Sequence, residues 1–131
     1  MKRLKGKDSD AGIENDAPMA YTRIEFLETH VFTRQIIGLL SDDSYAELQR
    51  ELIRNPKKGN LIVGGGGIRK LRWSLENNRG KSGGIRTIYF YKELCNQFLM
   101  LFAYPKNVAD DLTAEQLIIL RKLAKEFHDE R

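Results

Sequence analysis

The run from Gln97 to Tyr104, QFLMLFAY, restricts the fold of this chain more than any other stretch. It is strand-sized, and its two alternating sets, Phe98, Met100, Phe102 and Tyr104 against Leu99, Leu101 and Ala103, are both apolar. Successive side chains of a strand point to opposite faces of a sheet, so apolar residues at every position call for cover on both sides. The run therefore predicts a central strand between two covering layers. A chain of 131 residues with 41% hydrophobic content supports one such core and one domain.

The covering helices are also legible. Val31, Ile36, Ile37, Leu39 and Leu40 give the stretch from His30 to Leu40 an apolar side. Ser41 followed by Asp42 and Asp43 starts a second helix, because a side-chain oxygen caps free backbone amides and first-turn acids face the positive end of the dipole. That helix runs to about Arg54, with Tyr45, Leu48 and Leu52 on one stripe. It stops at Asn55-Pro56, where the residue before proline is driven out of the helical region. Thr113 to Gln116 has capping-box spacing and opens a last helix to about Phe127, with Leu117, Leu120, Ala124 and Phe127 inward. Thr22 to Glu28 and Leu61 to Val63 predict short strands, and Lys92 to Asn96 a turn. The fold class expected is α/β (α+β): two N-terminal helices on a mostly antiparallel sheet, with a C-terminal helix. Residues 1–18 balance four basic residues against four acids with little that is apolar beyond Ile13; they are predicted to be a disordered extension before a domain at 19–131.

Between these elements lies a basic hairpin. Ile68, Lys70, Arg72 and Ser74 alternate with Arg69, Leu71, Trp73 and Leu75, and the run from Arg86 to Tyr91 is β-branched and aromatic. Lys70 and Arg72 then share one face while Leu71 and Trp73 take the other, and Arg86 opens the partner strand. From Pro56 to Lys92 there are nine basic residues and one acid, whereas the whole chain has 22 and 18, so the remainder is net acidic. A localised basic patch on a weakly acidic body suits a polyanion. Arg69, Lys70, Arg72, Arg79, Lys81 and Arg86 are the candidate contacts.

Other chemistries fit poorly. Gly80-Lys81-Ser82 ends like a phosphate-binding Walker loop, but the first glycine of that motif falls at Leu75 and no helix follows. Asp42 with Asp43, and Asp110 with Asp111, sit at helix starts, where capping suffices, so no metal site is expected. His30 and His128 lie outside the hairpin. Cys95 is the only cysteine, which rules out an internal disulfide and suits the cytoplasm. No apolar run approaches the ~20 residues that span a bilayer, so no membrane partner is expected.

The order GGIRKLR, a basic loop, GGIRTIYFY, QFLMLFAY, PKN and a terminal helix resembles the RelE/HigB superfamily of toxins from toxin–antitoxin pairs, in particular its HigB-like branch, from Thr22 to about His128. The resemblance implies a small RelE-like fold and a ribosome-dependent mRNA endonuclease that inhibits translation without a cofactor. It also implies a cognate antitoxin that restrains the toxin, expected to carry a helix-turn-helix domain. It further implies that Arg86, in the Gly-x-Arg position, stabilises the transition-state phosphate. Lys70 and Arg72 would position RNA, Lys70 or Lys106 would take part in proton transfer, and Tyr104 would contact RNA. Members with an arginine after the PKN lysine and a tyrosine in the next helix differ here, where Asn107, Val108 and Leu112 occupy that region. RNA carries its own nucleophile, the 2′-hydroxyl, so cations that align it and neutralise the phosphate are an adequate apparatus. The same cations also fit a catalytically inactive nucleic-acid-binding module.

Overall fold

The computed structural model describes residues 2–5, 23–74, 84–108 and 111–130. In chain order the elements are β1 (Lys2–Lys5), β2 (Glu25–Glu28), α1 (His30–Leu39), α2 (Asp42–Arg54), β3 (Asn60–Leu61), β4 (Arg69–Trp73), β5 (Ile85–Lys92), β6 (Gln97–Pro105) and α3 (Ala114–Asp129). The strands form one sheet in the order β1-β2-β6-β5-β4-β3. β2 and β6 are parallel and every other pair is antiparallel. β6 lies inside the sheet, as its two apolar faces require.

Each face has its own core. Phe32, Ile36 and Leu40 of the α1 segment and Leu48 and Leu52 of α2 pack with Phe26, Leu71, Ile85, Tyr89, Phe98 and Met100 on one face. Leu120, Ala124 and Phe127 of α3 pack with Ile68, Ile88, Phe90, Leu99 and Leu101 on the other. Phe98 is stacked on Phe26 at 4.7 Å between ring centroids and lies 4.7 Å from Tyr91, which fixes β2, β6 and β5 together. The result is the mixed fold that the patterning predicts, with two N-terminal helices on one side of the sheet and the C-terminal helix on the other.

The helix ends follow from their capping chemistry. Ser41 accepts from the Ser44 amide at 3.1 Å, and Thr113 and Gln116 form a complete capping box at the start of α3. Thr29 caps α1 by accepting from the Phe32 amide, so His30 is an exposed first-turn residue and not the cap. At the far end of α3, the buried ammonium of Lys92 donates to the carbonyls of Phe127 (2.9 Å) and Glu130 (2.8 Å), satisfying acceptors the helix itself leaves open.

Glu28, only 2% exposed, ties both N-terminal helices to β2. Its carboxylate accepts from the Thr33 hydroxyl of α1 at 2.6 Å and from the Tyr45 phenol of α2 at 2.7 Å. Burial, with the Glu28 charge next, raises the Tyr45 phenol far above its ordinary range; burial also raises Tyr89 and Tyr91. Folded phenols therefore keep protons that unfolded ones release above pH ~10. The stabilisation is complete below that pH and is lost as pH rises toward the raised folded values, because the unfolded chain binds fewer protons there. An alkaline titration of phenolate absorbance alongside circular dichroism is expected to show these rings ionising only as the helix signal falls. Ionisation of Tyr45 at the ordinary value with the fold intact would contradict this packing.

Three expectations need correction. Within the extension predicted to be disordered, Lys2–Lys5 pairs antiparallel with β2, Lys2 opposite Glu28 and Lys5 opposite Glu25. An edge strand offers unpaired backbone groups whatever the side chains of the strand that joins it, so low hydrophobicity does not forbid pairing. The rest of that extension lies outside the described residues. The Leu61–Val63 strand is reduced to Asn60–Leu61, since the Ile62 carbonyl accepts from Gly65 at 2.9 Å and the chain turns away. Finally, the two sets in β6 do not stay opposed along its length. Ile88 pairs with Phe102 but Tyr89 pairs with Met100, so Leu101 is an extra residue, a β-bulge. Before it, Phe98 and Met100 face α1 and α2; after it, Phe102 and Tyr104 face the α3 side with Leu99 and Leu101. Thr29 and Gln35 hold the bulge, the hydroxyl donating to Leu101 O at 2.9 Å and the amide oxygen accepting from Ala103 N at 2.8 Å.

Candidate functional site

Strand alternation puts Lys70 and Arg72 of β4 on the α3 face, since Leu71 between them enters the core under α1 and α2. The register then sets Arg72 opposite Arg86, and Arg86 opposite Tyr104. One row across the sheet thus reads Arg72, Arg86, Tyr104, with Lys70 in the next row opposite Ile88. Tyr104 joins this face only because of the bulge at Leu101. Directly opposed like charges destabilise a strand pair, so the Arg72–Arg86 pair is not one that sheet formation alone favours.

Arg86 is placed by its neighbours. Gly84 has φ +101°, and a Cβ there would lie 3.1 Å from the Trp73 carbonyl, so a glycine is needed where the chain enters β5. The Lys106 amide donates to Gly84 O at 3.1 Å, pinning the end of β6 beside the start of β5. Arg86 is only 7% exposed. Its Nη1 donates to Ile85 O at a long 3.5 Å, and its Nε is buried without a hydrogen-bond partner among the described residues. Buried polar groups are nearly always satisfied, and a buried guanidinium nitrogen that is not is a place for a ligand oxygen.

The approach to α3 forms the wall. A groove of about 390 Å³ lies between β3, β4 and the segment before α3, lined by Lys70, Arg72, Asp111, Leu112 and Leu117 together with the Asn60–Val63 turn. Asp111 Oδ1 meets Lys70 Nζ at 2.5 Å. The hydrogen bond and charge of Lys70 hold the Asp111 carboxyl below the usual carboxylate range, helped by Arg72 and Arg86, so all three cations bear on this point. No histidine joins them: His30 is at the start of α1, and His128 packs edge-on against Phe90 at the end of α3. Among the described residues, no three His, Cys, Asp or Glu side chains gather as metal ligands would.

A comparison with protein families matches residues 27–131 to the RelE toxin of the RelE / RelB toxin-antitoxin system. The chain belongs to the RelE toxin family. The match covers every described element from β2's Leu27 onward, including the whole cationic face. In this RelE-family chain, Lys70, Arg72, Arg86 and Tyr104 come together, and Lys106 stands exposed at the end of β6 beside them. Arg69 does not. It lies on the opposite face of β4, where its Nη1 donates to Gly59 O at 2.7 Å and Lys57 O at 3.2 Å, and it braces the turn after α2. Arg79 and Lys81 lie outside the described residues. The sequence places Asp111 at a helix start, but Thr113 is the cap, and a carboxylate two residues before a cap is free to turn elsewhere. No helix among the described residues is long and apolar enough to cross a membrane.

Proposed function

We propose that this RelE-family toxin is a ribosome-dependent mRNA endonuclease. The observation that carries the reading is Arg86, a buried cation with an unpartnered Nε, set beside Arg72 and Lys70. A guanidinium fixed and desolvated in this way acts on charge that develops on a phosphate far more strongly than one in water. In the proposed step the 2′-oxygen attacks phosphorus, the bond to the 5′-oxygen breaks, and the 2′-hydroxyl proton is removed as the leaving oxygen gains one. Arg86 stabilises the extra phosphate charge. Lys70 and Arg72 bend and hold the strand, Tyr104 contacts the nucleotide, and Lys106 carries the proton at the mouth. The lack of a tyrosine in the segment after Lys106 favours the HigB-like branch. The partner that restrains the toxin is a cognate antitoxin with a helix-turn-helix domain, and the site of action is the cytoplasm.

The test is purified toxin added to ribosomes programmed with a defined mRNA, with 5′ ends mapped by primer extension. New ends that appear only when ribosomes are present are expected. Binding of RNA with no new ends would replace the endonuclease by a binding module of the same fold.

A further inference from the structure

We propose that Asp111 holds the place of a substrate phosphate on Lys70, so that the groove stays closed by its own carboxylate until an RNA phosphodiester displaces it. The inference rests on reading the groove as an RNA site, and it concerns how that site is kept before substrate arrives.

α3 does not need Asp111. Its amides are capped by Thr113 and Gln116, and Glu115 already supplies an acid in the first turn. Asp111 instead points its charge at the sheet. The Lys70 side chain is 14% exposed and belongs to the floor, whereas that of Asp111 is 77% exposed and reaches in from the connecting segment. The cation is thus the fixed partner and the acid the removable one. A carboxylate and a phosphodiester offer a lysine the same thing, an anionic pair of oxygens, and a phosphodiester also reaches the cations that the single carboxylate leaves less well served. Arg86 keeps its Nε without a partner while Asp111 is seated on Lys70. Ion pairs with an exposed member contribute little to stability, so the exchange is not opposed by the fold. The depression of the Asp111 carboxyl by Lys70, Arg72 and Arg86 together agrees with its sitting at the focus of the cluster.

The experiment compares the full-length wild type with Asp111→Asn and Asp111→Glu. Affinity for a short single-stranded RNA is measured on the toxin alone, and cleavage on programmed ribosomes. Asp111→Asn is expected to bind the RNA several-fold tighter, on the order of fivefold, because the Asp111 carboxylate no longer has to be displaced. Its salt dependence should steepen by about 0.7 in log–log slope, the value of one more phosphate contact on a single strand. KM on ribosomes should fall with kcat unchanged. Asp111→Glu should stay near the wild type, and all three should melt within a few degrees of one another.

Unchanged or weaker RNA binding by Asp111→Asn, with the wild type cutting normally, would overturn the place-holder alone. A large fall in kcat at saturating ribosomes would also overturn it, making Asp111 a participant in the chemistry. A wild type that neither binds RNA nor cuts it would remove the RNA site and this inference together.

Discussion

Replacing Arg86 by alanine is expected to slow mRNA cleavage on programmed ribosomes by ~10² to 10³, the usual loss when one preorganised transition-state donor is removed. Induction of the wild type should arrest growth and the variant should not. The fold is expected to survive, because Arg86 contributes little to holding it: its hydrogen bond to Ile85 is long, its Nε is unpartnered, and its charge is desolvated opposite Arg72. Arg86→Met, which fills the space without the charge, should melt at or above the wild-type temperature, since exchanging a poorly compensated buried charge for packing is often stabilising. Arg86→Lys restores the charge without the planar fork and should recover only part of the rate. Equal toxicity of wild type and Arg86→Ala at equal expression would remove Arg86 from the chemistry.

The second large effect lies in the substrate. A 2′-deoxy substitution at the scissile nucleotide is expected to abolish cutting and leave binding nearly unchanged, because it deletes the nucleophile and none of the phosphate contacts. The natural product should end in a 2′,3′-cyclic phosphate or a 3′-phosphate. Cutting should persist after trace metals are chelated, with magnesium kept high enough to hold the ribosome together, since the proposed step relies on Arg86, Arg72 and Lys70 to meet the phosphate charge. A 3′-hydroxyl product, or cleavage of the deoxy substrate, would sink this mechanism.

What could be read in advance divides along physical lines. Features set by local spacing were legible. Lys70 and Arg72 share a face because a strand alternates, and Ser41 and Thr113 start helices because their side chains reach free amides. The convergence of Arg86 with them needed only a hairpin in ordinary register. The same alternation already separates Arg69 from Lys70, so assigning both to one RNA surface gave charge more weight than geometry. Asp111 was opaque because its partner is 41 residues away, and nothing local distinguishes an acid that caps from one that crosses to a strand. The position of Tyr104 was hidden for another reason. With Leu99, Leu101 and Phe102 all apolar, a skipped step in the alternation leaves no trace in the pattern.

That skipped step makes β6 a strand with two frames. Upstream of Leu101 the even-numbered side chains belong to the core under α1 and α2; downstream they belong to the α3 face. A strand that kept all its residues but lost the bulge would turn Tyr104 to the α1 and α2 side and leave the small Ala103 facing Arg86, whereas deleting Leu101 would restore plain alternation and keep Tyr104 opposite Arg86. Changing Leu101 to another apolar residue would leave both frames where they are. The placement of Tyr104 beside Arg86 therefore depends on the bulge more than on the identity of the residue within it, and loss of the bulge with the strand length kept is the change that turns this end of β6 over.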